Sequence, residues 1–177
     1  MSDLGGIVPE AKDWTWVLTK PCPDCGLEAG AAAAEQLPEL IHANTRGWYD
    51  AFGRPDVAAR PGPGTWSPLE YGCHVRDVHL LFAERVELML DQDDPAFANW
   101  DQDETALELK YSEQRPEEVL TELVEAAAAV AGLYADVAGD QWDRTGRRSD
   151  GSSFTVASLG RYHLHDVVHH LWDVGVR

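Results

Sequence analysis

Four stretches of this chain repeat apolar residues at helical intervals, and clusters of Pro, Gly and acidic residues separate them. That pattern points to packed helices, since a half-buried strand would need apolar residues at every second position. The second stretch is the most sharply marked. It opens Trp66-Ser67-Pro68-Leu69-Glu70, where Ser67 and Glu70 make a capping box and Pro68 suits the first helical position. Leu69, Cys73, Leu80, Leu81, Val86 and Met89 carry that helix to about residue 91. The first stretch, about 28–52, has the helix-favouring run from Ala31 to Ala34 and a stripe through Leu37, Leu40, Ile41, Asn44, Trp48 and Phe52. Pro38 marks either a kink or the true start. The third begins at Pro116 and repeats through Val119, Leu123, Ala127, Val130 and Tyr134. Thr155 can cap the fourth, which carries Leu159, Tyr162, Val167, Val168, Leu171 and Trp172.

The breaks are equally plain. Gly53 to Asp56 and Arg60 to Gly64 interrupt regular structure, and the acidic run Asp91 to Pro95 ends the second helix. A long connection follows to about residue 114, with a short helical piece over Thr105 to Tyr111, and residues 139–154 are polar and turn-rich. The expected architecture is all-α, a four-helix bundle with a long connection between helices 2 and 3. The 177 residues suit a single domain able to bury its own core. Residues 1–13 are a loose lead-in, 1–27 form an N-terminal extension, and about 28–174 form the bundle.

With 14 basic and 31 acidic residues the net charge is −17 at pH 7, which repels nucleic acid and anionic membranes and leaves a small molecule as the expected partner. No run of 18 apolar residues and no signal-peptide pattern is present, so a cytoplasmic location is expected. Three cysteines, an odd number, do not suggest a secreted disulfide framework.

Four of the seven histidines fall between Arg161 and Val174. His165 and His169 are four apart, so on a helix their imidazoles lie one above the other and can grip one divalent metal. His74, on the second helix, is the third candidate ligand. By itself it reads equally as a core histidine bonded to a carboxylate, with Glu70 and Asp77 each about one turn away. Three imidazoles and one open position are the ligand set of a catalytic zinc site. His163 and His170 fall on other faces and stay outside the set. Asp166 receives no role, His79 is assigned to the surface, and His42 is solvated or packed. A zinc-protease reading of His165-Asp166-Val167-Val168-His169 fails, because a ligand six residues further would be Gly175.

The N-terminal part holds Cys22-Pro23-Asp24-Cys25-Gly26, which has the form of half a zinc ribbon. Three readings stand open: a turn with reduced thiols tying this segment to the bundle, a second metal site borrowing a histidine, or a redox dithiol.

Trp66-Ser67-Pro68-Leu69-Glu70, His74-Val75-Arg76-Asp77-Val78 and His165-Asp166-Val167-Val168-His169-His170-Leu171 together resemble the DinB-like superfamily, which includes mycothiol-dependent maleylpyruvate isomerases and related thiol transferases. The resemblance spans about residues 28–174 and implies a divalent metal, zinc or nickel, on His74, His165 and His169. It further implies a low-molecular-weight thiol as cosubstrate, S-transfer or isomerisation as the reaction, and a homodimer. Cys22 and Cys25 are not part of the shared motif. Arg147, Arg148 and Arg161 either bind carboxylates of the thiol or substrate or are solvated. The alternative is a non-catalytic metal-binding stress or interaction module. An open coordination position beside a pocket favours the enzyme, and a fourth protein ligand favours the module.

Overall fold

The computed structural model describes residues 13–176; most of the expected lead-in lies outside the described residues. Five helices and a small sheet make up the regular structure: α1 Leu37–Phe52, α2 Pro68–Asp91, β1 Ala96–Phe97, α3 Gln102–Glu108, α4 Pro116–Asp136, β2 Thr145–Arg148, β3 Ser153–Thr155 and α5 Val156–Asp173. Among the described residues no helix is long and apolar enough to cross a membrane.

The helix starts follow the chemistry of their first turns. At α2 the Ser67 hydroxyl accepts from the Glu70 amide at 3.2 Å, and the Glu70 carboxylate accepts from the Ser67 amide at 2.9 Å. Glu70 is buried and also takes a two-pronged ion pair from Arg60. Burial works to raise the Glu70 carboxyl, but Arg60 and the Ser67 donors outweigh it and hold it below the usual carboxylate range. We expect Ser67→Ala to lower stability by about 1 kcal/mol, read as a urea midpoint shifted at constant slope. An unchanged midpoint would show that Arg60 alone holds Glu70. At α5 the Thr155 hydroxyl accepts from the Ser158 amide at 3.1 Å. Pro38 marks the true start of α1, because residues 28–36 form two short 3-10 turns instead of a first helical turn. The short helical piece of the connection falls slightly earlier than expected, at α3, where the Asp101 carboxylate caps the amides of Asp103 and Glu104.

The four long helices form the bundle, with α1 and α2 each packing chiefly on α4 and α5. The pairs α1 with α2 and α4 with α5 therefore sit across diagonals, whereas α2 and α4 are direct neighbours. Trp48, Leu37, Ile41, Leu69, Met89, Leu123, Tyr134, Leu159 and Leu164 are fully or almost fully buried in the shared core. Leu40, placed on the buried stripe by periodicity, is 40% exposed. The polar stretch after α4 builds a β2–β3 hairpin, and β1 from the long connection pairs parallel to β2. This small sheet is absent from the sequence expectation, although the fold class remains mainly helical.

Candidate metal centres

α5 turns about 100° per residue, so neighbouring residues address different partners. His165 and His169 face the N-terminal segment, whereas Asp166 and His170, one residue on, face α2. Two groups of metal-ligating atoms result, each with its atoms within 4.8 Å of one another: Cys22, Cys25, His165 and His169, and separately His74, Asp166 and His170. The expected trio is thus divided. His165 and His169 do stand together, but His74 joins the stripe one residue further along. Asp166 and His170, left without a role above, carry the same four-residue spacing as His165 and His169.

In the second group His74 Nε2 and His170 Nε2 each stand 3.6 Å from Asp166 Oδ1. That is too long for a hydrogen bond, yet right for atoms sharing one cation. Both His74 nitrogens and Asp166 Oδ1 are buried without a hydrogen-bond partner, and such orphaned polar atoms are costly unless something binds them. The His74 ring is stacked on Trp100 at 5.3 Å and tilted against Trp66 at 5.5 Å. His170 Nδ1–H donates to Asp173 Oδ2 at 2.8 Å. With Nδ1–H directed at this carboxylate, Nε2 keeps its lone pair, the arrangement that orients a ligating histidine.

Protonation states suit a cation. Burial pushes His74 below the ordinary imidazole value, which Asp166 only partly offsets. Burial would raise Asp166, but the facing imidazoles of His170 and His74 outweigh it and lower the carboxyl. Near pH 7 the group therefore offers a neutral His74 and an ionised Asp166. The donor set of two imidazoles and one carboxylate fits a divalent transition metal.

This group opens on a cleft of about 290 Å³ walled by Trp14, Trp66, Tyr71, Tyr162, Asp166 and His170. A second cleft of about 350 Å³ adjoins it, sharing Trp14, Gln102, Asp103, Tyr162 and Asp166, and adds Arg85 and Arg148. Arg85 is 5% exposed and its Nε has no hydrogen-bond partner. Arg148 pairs with Asp150 at 2.7 Å and lies over the rings of Phe154 and Tyr162. Arg147 pairs with Asp94, and Arg161 donates to the Ala32 carbonyl, so neither lines these clefts.

The group of four has a different character. Cys22 and Cys25 are free thiols, Cys22 Sγ lies 3.6 Å from His169 Nδ1, and the buried Nε2 of His165 has no hydrogen-bond partner. His165 is lowered to about 4, first by burial and then by the charge of His169.

Two further histidines lie in the core. His79 is fully buried, not on the surface, with Nδ1 3.0 Å from His163 Nε2, and His163 Nδ1 is 3.3 Å from the Tyr134 hydroxyl. Periodicity missed His79 because polar residues count against a buried stripe. Burial lowers His79 to about 4 and His163 well below the ordinary value. A histidine whose folded pKa lies below its unfolded value of about 6.5 takes up protons preferentially on unfolding. Their titration therefore takes no stability above that pH, and stability is lost as pH falls from about 6.5 towards 4. We expect the urea midpoint to fall across that window; a flat profile would contradict a neutral buried pair.

The sequence model of the DinB superfamily matches residues 36–174. No curated protein matches this chain at a significant level. Among solved structures, YfiT from Bacillus subtilis, described as a probable metal-dependent hydrolase with an unusual four-helix bundle topology, superposes with a TM-score of 0.71 at 17% identity. The match covers 97% of this chain and 95% of YfiT.

Proposed function

The chain belongs to the DinB superfamily, and on that premise we propose that it is a metal-dependent enzyme that joins a low-molecular-weight thiol to a small anionic substrate, or isomerises the product. The observation that carries this reading is the trio His74, Asp166 and His170, in which the orphaned buried atoms of His74 and Asp166 converge with a His170 nitrogen beside a cleft that Asp166 and His170 line. A divalent metal there would favour the ionised form of a thiol or water at its open position, supplying a nucleophile near neutral pH.

The chain's own residues do the rest. Trp66 and Trp100 hold the His74 ring, and Asp173 fixes His170. Trp14, Tyr71 and Tyr162 add apolar surface to the cleft wall for the carbon skeleton of a ligand. Arg85 and Arg148 in the adjoining cleft supply positive charge for a carboxylate of the substrate or thiol. They are the two cationic residues of a wall that also carries Asp13, Asp101, Asp103, Asp150 and Asp166.

Hydrolysis is the second reading, supported by the description of YfiT; water instead of thiol would then be the nucleophile. The two separate in one assay series. Metal-loaded protein is given an electrophilic small acid with and without a low-molecular-weight thiol such as mycothiol, and thiol consumption and hydrolysis are followed together. Metal-dependent thiol consumption supports transfer, and substrate loss without thiol supports the hydrolase. Neither activity with a range of substrates, in protein carrying its metal, would favour a non-catalytic module.

A further inference from the structure

We propose that Cys22, Cys25, His165 and His169 form a second, closed zinc site that clamps the N-terminal segment onto α5. The four ligand atoms converge within 4.8 Å. Tetrahedral zinc, with Zn–S about 2.3 Å and Zn–N about 2.0–2.1 Å, separates a sulfur from a nitrogen by roughly 3.6 Å. Cys22 Sγ and His169 Nδ1 stand 3.6 Å apart. His165, 4% exposed, leaves Nε2 buried and without a hydrogen-bond partner.

The local backbone is built for the task. The Cys22 amide donates to the Leu27 carbonyl and the Gly26 amide to the Cys22 carbonyl, both at 2.9 Å. These bonds close a tight turn around Cys22-Pro23-Asp24-Cys25, and Gly26 completes it at φ +77°, where a side chain would be strained. On the far side of the His169 ring, Nε2 lies 3.8 Å from Asp173 Oδ1, beyond direct hydrogen-bond reach. The rings of Trp14 and Trp172 lie 5.1 and 5.5 Å from that of His169.

Two thiolates and two imidazoles select zinc and fill its tetrahedron, leaving no position for substrate. Zinc binding here displaces the two thiol protons and forms two Zn–S and two Zn–N bonds. The site is therefore structural, and its effect on activity passes through Trp14, which walls both clefts. Loss of this zinc raises KM by loosening that wall, while metal at His74, Asp166 and His170 is retained. The KM effect rests on the functional reading above; the existence of the zinc site does not.

Cobalt(II) reconstitution of untagged protein under reducing conditions tests the site. A thiolate-to-cobalt charge-transfer band is expected in the wild type and in His170→Ala, and absent in Cys22→Ser/Cys25→Ser. A second measurement needs no variant: treating zinc-loaded wild type with an organomercurial releases about one zinc per chain to a chromogenic chelator, as a single Cys-ligated site requires. Absence of the band, together with thiols that titrate freely and release no zinc, would overturn the proposal, whatever the catalytic assays show.

Discussion

Replacing His170 by Ala lowers metal-dependent turnover by on the order of 10³-fold while the bundle stays folded. The magnitude follows from charge stabilisation by a catalytic metal, worth several kcal/mol, with each 1.36 kcal/mol a factor of ten. His170 provides one of three converging atoms, so its loss leaves only His74 and Asp166, on different helices. The bundle should tolerate the change because His170 is only half-buried and belongs to the cleft rather than the shared core. Circular dichroism and the urea midpoint separate this outcome from unfolding. Unchanged kcat/KM in a folded variant would remove His170 from the machinery. Asp173→Ala should fall between, with metal affinity weakened by roughly 10–100-fold, because it orients His170 without joining the cluster.

Trp48→Ala destabilises the protein by about 3–5 kcal/mol, the usual cost of deleting a large buried aromatic and leaving a cavity. Trp48 is fully buried, edge-on to Phe52 at 6.0 Å, and its indole N–H donates to Asn44. Asn44 in turn donates to the Val167 carbonyl of α5, so this residue pair ties α1 to the helix that contributes to both groups of candidate ligands. Differential scanning calorimetry and urea unfolding read the loss directly. A cost below about 1 kcal/mol would mean that the core collapses around the gap, contrary to a packed α1–α5 contact.

Local signals carried much of this architecture. The caps at Ser67 and Thr155 fixed two helix starts, because their partners lie three residues away and need no tertiary information. The sheet was not legible: its strands are two to four residues long, and β1 is held by pairing with β2 about fifty residues on. The ligand register was ambiguous for a similar reason. His165 with His169, and Asp166 with His170, have identical helical spacing, and only the rotation of α5 against α2 and the N-terminal segment tells which pair meets His74. The Cys22–Cys25 turn was visible as half of a zinc ribbon, but its closeness to His165 and His169 became apparent only when the segment was seen against α5. The contrast expected between an enzyme and a metal-binding module, an open position against a fourth ligand, falls on two different groups of candidate ligands. One group has three candidate ligands, the other has four, and residues of both line the same cleft.

The most direct test of the open centre is the metal content of untagged protein by elemental mass spectrometry, on Cys22→Ser/Cys25→Ser with and without His170→Ala. The cysteine variant should retain about one divalent metal per chain, and adding His170→Ala should remove it, as expected for a site with three protein ligands. A cysteine variant that folds but holds no metal after reconstitution at neutral pH would contradict a metal centre at His74, Asp166 and His170.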